Sequence, residues 1–462
     1  MGTETKTERL IKTAISRLSK GGKGRIAADF ARMFYGQSVP DEIAEYSAPD
    51  LEAIARSAIG FAGTRKPGRH KIRVFNPQKD RDGWSEEATV VQILNDDMPF
   101  LVDSVLSLLS DLNAGVRLVL HPILSLSRTG GGAMAGLSGD DPAGGTGAGR
   151  ESFIHVHIDP LFDKADRDAL EQKISPVLGD VRTTVLDWQP MIGRVRAAVS
   201  SYQTSPPAVA VDELAESIQF LQWLLDNHFT FLGIREYAFE GGGAKGELKA
   251  VRDSGLGILR DPSVQVLRRG KEMVSITPEV REFLMQPAPL IITKANVRAT
   301  VHRRVYMDYV GVKQFDEKGQ LSGELRLVGL FTSAAYTRSA QFIPLLRRKV
   351  GYIVENSGYK PESHSGKALL NVIEQYPRDE LFQTDADTLL ATAKGILQLE
   401  ERPRTRLFVR TDKFDRFVSA LAFIPRDRFN TRVRVNVGEL LAKAYDGGVS
   451  AFYPAFPEGS LV

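Results

Sequence analysis

The chain has 462 residues, and its 60 basic against 57 acidic side chains leave a net charge of +3. That is too small to imply nucleic acid or an anionic membrane surface as a partner. There is no cysteine, which excludes disulfides, thiolate nucleophiles and cysteine-bound metals and agrees with a reducing cytoplasm.

At this length about three domains are expected. In "TERLIKTAISRL", Leu10, Ile11, Ala14, Ile15 and Leu18 share one helical face with charges between them, unlike the continuous apolar core of a signal peptide. Nowhere do roughly twenty apolar residues run together, so no membrane span is expected. The first sixty residues read as helical through "DLEAIARSAIGFA", and "TRKPGRHK" marks a boundary. "IRVFNP" and "ATVVQILN" read as strands. "PFLVDSVLSLLSDLNAG" reads as a helix with Pro99 in its first turn and Gly115 at its end. "VRLVLHPILSLSR" reads as one long strand, with Pro122 requiring an edge or a bulge.

The low-complexity "TGGGAMAGLSGDDPAGGTGAGR" has too few apolar residues to pack and reads as a disordered loop. "SFIHVHIDP" follows as a strand and "DRDALEQKISPVL" as a helix. With "VRTTVLD" as a fourth strand, the order completes a ferredoxin-like βαββαβ domain over roughly residues 70–205. "VDELAESIQFLQWLLDNH" is a periodic helix that feeds the strand "FTFLGIREYAF". "PLIITKA" is another strand, and "ATVHRRVYMDYVGVKQF" and "LSGELRLVGLF" form a hairpin around "DEKGQ". A helical stretch follows, from "IPLLRRKVGYIVEN" to "TLLATAKGILQL". The last section holds two strands in "RTRLFVRTDKFDRFVSALAFIP", the helix "VNVGELLAKAYDG" and the start of a further strand in "VSAFYPAF". Too few strands remain there to close a sheet, so a truncated domain within a fragment of a longer protein is expected.

The sharpest candidate site is "NDDMPFLVDSV", where Asn95, Asp96 and Asp97 interrupt an apolar run just before Pro99 and a helix. Three readings stay open. An aspartate caps the free helix amides, the turn binds a small polar ligand, or the pair performs acid–base chemistry, which requires the carboxylates to converge on one atom. His155 and His157 alternate on one strand face, and His121 on the preceding strand could join them around zinc. Solvated or hydrogen-bonded histidines are the other reading.

"GLGILR" lacks the last glycine of a dinucleotide fingerprint, because Arg260 stands there, and it reads as a turn. Gly366-Lys367 in "SHSGKALL" lacks the earlier glycine of a P-loop and reads as a helix start. "FTSAAYTRSA" has no nucleophile elbow and reads as strand-to-helix capping. The basic run Arg298, His302, Arg303 and Arg304 reads as a strand with solvated charges on both faces. No constellation of residues by itself supports catalysis.

Taken together, "QILNDDMPFLVDSV", "LVLHPILSLSR", "FIHVHID", "WLLDNHFTFLGIREY", "GLGILRD", "VHRRVYMDYVGVKQFDEKGQLSGELRLVGLFTSAAY" and "VGYIVENSGYKPESHSGKALLNVIEQYPRDELFQ", in that order, resemble the amino-terminal part of the large bacterial NAD-specific glutamate dehydrogenases. The resemblance covers nearly the whole chain. It implies an α+β, multidomain architecture: a helical segment 1–65, an ACT-like domain 70–205, a linker helix 206–228, a PAS-like α+β domain 229–340, a helical linker 341–402 and a truncated second ACT-like domain 403–462.

The resemblance also implies a cytoplasmic homo-oligomer whose full-length form oxidises L-glutamate with NAD. The catalytic and cofactor-binding residues of such an enzyme lie outside this chain, and no cofactor or metal is expected in this segment. An amino-acid effector is expected at Asn95, Asp96, Asp97 and Pro99. Many such turns carry a glycine after the proline, and Phe100 stands there instead. The competing readings are a stand-alone amino-acid sensor and, from a third class, a histidine-based metal hydrolase.

Overall fold

The computed structural model describes residues 6–20, 24–36, 38–138, 149–240, 247–269, 272–273, 286, 288–414 and 416–456. The chain divides into two compact units, Met1–Leu186 with Ala299–Val305, and Asp187–Arg298 with Tyr306–Val462. The break after Leu186 falls inside the span 70–205 expected for one domain.

The first unit opens with four helices, α1 (Lys6–Leu18), α2 (Gly24–Tyr35), α3 (Pro40–Ile43) and α4 (Ala48–Ala62). Then come β1 (Lys71–Phe75), α5 (Lys79–Asp82), β2 (Thr89–Asp96), α6 (Leu101–Asp111), β3 (Val116–Leu120), β4 (Ile123–Arg128), β5 (Met134–Ser138), β6 (Gly149–Ile158) and α7 (Lys164–Leu186). The strands form one antiparallel sheet in the order β1-β2-β6-β4-β5, with β3 also on β6. The expected long strand is broken at His121-Pro122, because proline has no N–H for the ladder. Its halves β3 and β4 pair with opposite ends of β6.

"VRTTVLD" is not a strand. It is the last turns of α7, whose buried Leu170, Ile174, Val177, Leu178, Val181 and Thr184 recur at helical spacing. That stripe outweighs the β-branched composition, and Thr183 Oγ1 bonds back to Gly179 O in the manner of helical threonines. The sheet slot beside β2 that a closing strand of a βαββαβ unit would take is filled by β1, which comes first in the chain. Residues 139–148, most of the glycine-rich loop, lie outside the described residues; the part before them forms a turn and β5.

Every residue of β2 except Asp96 is buried, as are the last eight residues of β6. The sheet is therefore covered on both faces, which explains why these strands lack simple alternation. One face packs Val90, Leu94 and Phe153 into a core with Phe30, Phe34, Leu51, Ile54 and Phe61 of α2 and α4. The opposite face belongs to α6 and α7.

The second unit holds α8 (Trp188–Thr204), α9 (Val211–Trp223), β7 (Phe229–Glu240), β8 (Glu247–Ala250), β9 (Leu256–Gly257), β10 (Arg268–Arg269), β11 (Glu272–Met273), β12 (Leu290–Arg298), β13 (Tyr306–Phe315) and β14 (Leu321–Phe331). After these come α10 (Ser333–Thr337), α11 (Leu346–Asn356), α12 (His364–Gln375), α13 (Arg378–Gln383), α14 (Ala386–Glu401), β15 (Arg406–Thr411), β16 (Val418–Phe423) and α15 (Thr431–Ala444). The main sheet is antiparallel in the order β12-β13-β14-β7-β8, with β9 on β7.

Val310, Val312, Leu325, Leu327 and Phe231 of this sheet share a core with Phe220, Val350, Ile373, Phe382 and Ala393 of the helices. "GLGILR" is a strand end and turn. Gly257 has φ +60, and a Cβ there would meet Leu232 O at 2.1 Å, so only glycine fits. Arg260 and the Gly257 amide both bind Asp187. The start of α12 is capped by Ser363. In "FTSAAYTRSA" the Thr332 hydroxyl donates to Asn227 O instead of capping α10. "VSAFYPAF" forms no strand, since nothing in the described residues pairs with it.

Because Phe153 meets the rings of Phe30, Phe34 and Phe61 edge-on at 5.9, 5.7 and 6.0 Å, it joins α2 and α4 to the sheet. Phe153→Ala is expected to lower the unfolding free energy by about 3–5 kcal/mol, measured by denaturant titration. A loss below about 1 kcal/mol would contradict a common core for helices and sheet.

Candidate functional site

The apolar run of β2 ends at Asn95 and Asp96, where the chain must leave the sheet and start α6. Asp97 N still donates to Arg150 O, so the ladder with β6 continues one residue past the strand. Pro99 lies in the turn ahead of α6, not in its first turn. Phe100 forms the N-cap in the left-handed conformation, φ 72 and ψ −2, with no side-chain cap. This conformation is uncommon for a residue with a Cβ.

Neither aspartate caps the helix, contrary to the capping expectation. Both are taken by guanidinium groups, whose charge-assisted bonds are stronger than a bond to a neutral amide. Asp96 binds Arg65 at 2.7 Å through one oxygen and Arg182 at 2.6 Å through the other. Arg182 also donates to Asn95 Oδ1 at 2.7 Å. Asp97 turns to the exposed Arg150 at 3.0 Å. Asn95 and Asp96 are thus brought together, whereas Asp97 has a different partner, so no convergent carboxylate pair forms. The Asn95 Nδ2 is buried with no hydrogen-bond acceptor.

Behind the turn, Arg65 also binds Glu151 at 2.8 Å, and Arg128 holds Glu151 at 2.5 Å. Burial pushes the Asp96 and Glu151 carboxyls up. Arg182 and Arg65 on Asp96, and Arg128 and Arg65 on Glu151, more than offset this and hold both below the usual carboxylate range. Neither Arg65 nor Arg182 was legible as a site residue. The first lies in "TRKPGRHK", which reads as a boundary, and the second in the segment that reads as a strand.

Residues 299–305 are not a strand; they form an irregular segment of the first unit. The His302 amide donates to Ser104 Oγ at 2.9 Å, and its imidazole lies 3.0 Å from Asp103 and 5.2 Å, ring to ring, from Phe100. Thr300 donates to Asp180, and Arg304 pairs with Asp111 at 2.7 Å. His302 and Arg304 of the basic run are therefore spent on the acidic face of α6, whereas Arg298 donates to Ser450 O.

His155 and His157 share a face as their spacing requires, and both are fully buried. Their Nε2 atoms are 2.8 Å apart. His121 is elsewhere, bonded to Ser152 at 2.8 Å, because the break at Pro122 takes it out of register. Among the described residues no three histidine or carboxylate side chains are grouped to hold a metal. The pair instead belongs to a chain of polar groups. Arg73 donates to Gln92 Oε1, Gln92 Nε2 lies 3.0 Å from His155 Nδ1, and His157 Nδ1 lies 2.9 Å from Tyr46 OH and 3.0 Å from Glu86.

The second unit has its own buried charges. Lys294 bridges Asp308 at 2.6 Å and Asp379 at 2.9 Å, and Asp308 also accepts from the Phe331 amide. Burial pushes Asp308 up to about 6, against the pull of Lys294. Lys349 donates to the carbonyls of Leu381, Phe382 and Thr384 at 2.7–2.8 Å, tying α11 to the end of α13, and burial pushes its ammonium down to about 7. Each of these groups is spent on neighbouring chain, which is a structural role.

Arg65→Ala would leave Glu151 and Asp96 with one cation fewer at a buried site, and a loss of about 3–5 kcal/mol in unfolding free energy is expected. Both carboxyls are held below their ordinary values of 3.8 and 4.5. Their stabilisation is therefore complete above about pH 4.5 and fades as pH falls below it. Denaturant titrations between pH 7 and 3 should show the wild-type chain losing stability faster than Arg65→Ala on acidification. Parallel curves would refute the assignment.

Residues 30–174 match the family model for the glutamate dehydrogenase ACT1 domain, 343–402 that for glutamate dehydrogenase helical motif 1, and 406–462 that for the ACT2 domain. The chain is 34% identical over 447 residues to the NAD-specific glutamate dehydrogenase of Halomonas elongata, covering 96% of this chain and 28% of that protein. It is 34% identical over 436 residues to that of Pseudomonas aeruginosa, covering 94% and 26%. With that of Mycobacterium tuberculosis it is 28% identical over 365 residues, covering 77% and 21%. The chain thus spans about a quarter of the length of the curated relatives it matches. It belongs to the family of NAD-specific glutamate dehydrogenases, of which it carries the ACT1, helical-motif and ACT2 portion.

Proposed function

We propose that the chain is the amino-terminal regulatory and assembly segment of an NAD-specific glutamate dehydrogenase and performs no chemistry of its own. The observation that carries this reading is the succession of ACT1, helical motif and ACT2 matches within a chain that spans about a quarter of its relatives. The whole protein would oxidatively deaminate L-glutamate to 2-oxoglutarate and ammonia with NAD, as a cytoplasmic homo-oligomer in glutamate catabolism. Among the described residues no helix is long and apolar enough to cross a membrane. Residues 229–340, an antiparallel sheet covered by helices, form the PAS-like module, and 403–462 the second ACT-like one.

An amino-acid effector would enter at Asn95, Asp96, Asp97 and Pro99. Support comes from the buried, unpaired Asn95 Nδ2 and from Asp96 and Arg182, which offer opposite charges to a zwitterion. Such a ligand must displace an existing ion pair, so weak binding is expected.

The purified chain should produce no NADH from L-glutamate and NAD. Measurable turnover would sink the non-catalytic reading. Calorimetry against a panel of amino acids tests the effector turn separately. Heat that disappears in Asn95→Ala supports it, and a blank panel removes it.

A further inference from the structure

Arg73, Gln92, His155, His157 and Glu86 form one continuous hydrogen-bonded chain through the core of the first unit, and its direction can be deduced. A guanidinium only donates. Arg73 therefore requires Gln92 to present Oε1, at 3.1 and 2.5 Å, which leaves Gln92 Nε2 to donate to His155 Nδ1. The His155 proton must then sit on Nε2 and point at His157 Nε2, 2.8 Å away. His157 is left with its proton on Nδ1, facing Glu86 and Tyr46, while Tyr46 OH donates to Glu86. With both imidazoles neutral, every link has one donor and one acceptor. The cation fixes one end and the carboxylate the other.

One further proton cannot be added to His157 without reversing every link from there to Gln92. If His157 carried protons on both nitrogens, His155 Nε2 would have to accept and its own proton would move to Nδ1. Gln92 would then turn its oxygen toward His155 and its NH2 toward Arg73, setting donor against donor. Arg73 has alternatives at that moment, namely Ser57 Oγ at 2.8 Å and the rings of Phe75 and Phe61 at 4.2 and 5.3 Å.

We propose that this chain is a one-proton switch, in which a proton taken up at the Glu86 end reverses the hydrogen bonds and releases Arg73 from Gln92 at the other end. The entrance is visible. Glu86 lines an open cavity of about 420 Å³ with Asn76, Ser85 and Phe162, whereas His155 and His157 are completely buried under Phe34 and Trp84. The added charge would rest on His157 beside the Glu86 carboxylate. No bond other than N–H and O–H contacts changes, and the proton comes from water.

The charged and titratable groups around the pair are Arg73 with Arg81 and Asp82 behind it, Tyr35 and Tyr46 with Glu45 from the helical layer, Glu86, and Arg117 of β3. Burial, then His157 and Arg73, drive the His155 imidazole well below its ordinary value. The neutral chain thus stabilises the fold fully above about pH 6.5, and this contribution is lost as pH falls. The switch is independent of the reading of the chain as a dehydrogenase segment.

The test is nitrogen NMR of the full chain labelled at histidine and at the glutamine side-chain amides. At neutral pH, His155 should be the Nε2–H tautomer and His157 the Nδ1–H tautomer. On acidification both should change in a single step together with the Gln92 amide. Arg73→Met removes the end that fixes direction, so its midpoint should rise by about one pH unit, a roughly tenfold gain in proton affinity. Arg73→Lys, which still only donates, should keep the wild-type midpoint. Opposite tautomers, two histidines titrating separately, or an unchanged midpoint in a folded Arg73→Met would overturn the proposal. Should that variant fail to fold by circular dichroism, the wild-type tautomers and the Gln92 response decide alone.

Discussion

Burial of the first-unit sheet on both faces is the constraint on which the rest of that unit depends. A sheet with one wet face can leave polar side chains to water. Here α1–α4 close one face and α6 and α7 the other, so the polar groups along β2 and β6 must find partners inside the protein. Among the described residues of these strands, Asn95 Nδ2 is the buried side-chain atom that has none. Glu151, 2% exposed, is the severe case, because an unpaired buried carboxylate would cost several kcal/mol. Arg65 and Arg128 answer it from the helical layer's end and from β4. Gln92, His155 and His157 face the same demand as neutral groups and meet it by bonding to one another in line.

That demand also shapes the turn. Asp96 closes the charge cluster that Glu151 starts, so its carboxylate cannot serve as a helix cap, and α6 begins at Phe100 without one. The left-handed backbone at Phe100 keeps the tight strand-to-helix geometry that a glycine would give at no cost. The price is a phenyl ring above the turn, against which His302 lies. A glycine would leave room for a ligand; phenylalanine provides a contact for the chain itself.

Much of this was legible in the sequence, and what was not has a definite physical cause. The elements β1, β2, α6, β6 and the first turns of α7 follow from apolar runs and from punctuation by proline and glycine, because these signals are local. The break between β3 and β4 at Pro122 and the strand β5 in the glycine-rich stretch depend instead on pairing with β6 and β4. The H-x-H parity also held, since strand alternation is fixed by covalent geometry. "VRTTVLD" misled because β-branched residues carry a strand propensity that a six-residue buried stripe along α7, five of it apolar, overrides. The partners of Asp96 could not be read at all. Arg65 and Arg182 are 31 and 86 residues away, and nothing in their neighbourhoods marks them as ligands of a carboxylate.

Both units pair their buried charges, but the first also holds a buried chain of neutral polar groups, and the contrast bears on which of them can respond to a signal. In the second unit each buried charge meets a fixed partner of opposite sign or a ring of carbonyls, as Lys294 meets Asp308 and Asp379 and Lys349 meets three carbonyls. Such arrangements have one satisfactory state, and losing a partner only costs stability. In the first unit the histidine chain is built from neutral groups that can each donate or accept, so it has two self-consistent directions. The donor-only guanidinium of Arg73 at one end and the acceptor-only carboxylate of Glu86 at the other make one of them better. A bistable element biased from its ends is what a response to a signal requires, and its Gln92 lies on β2, the strand that runs into the turn at Asn95 and Asp96.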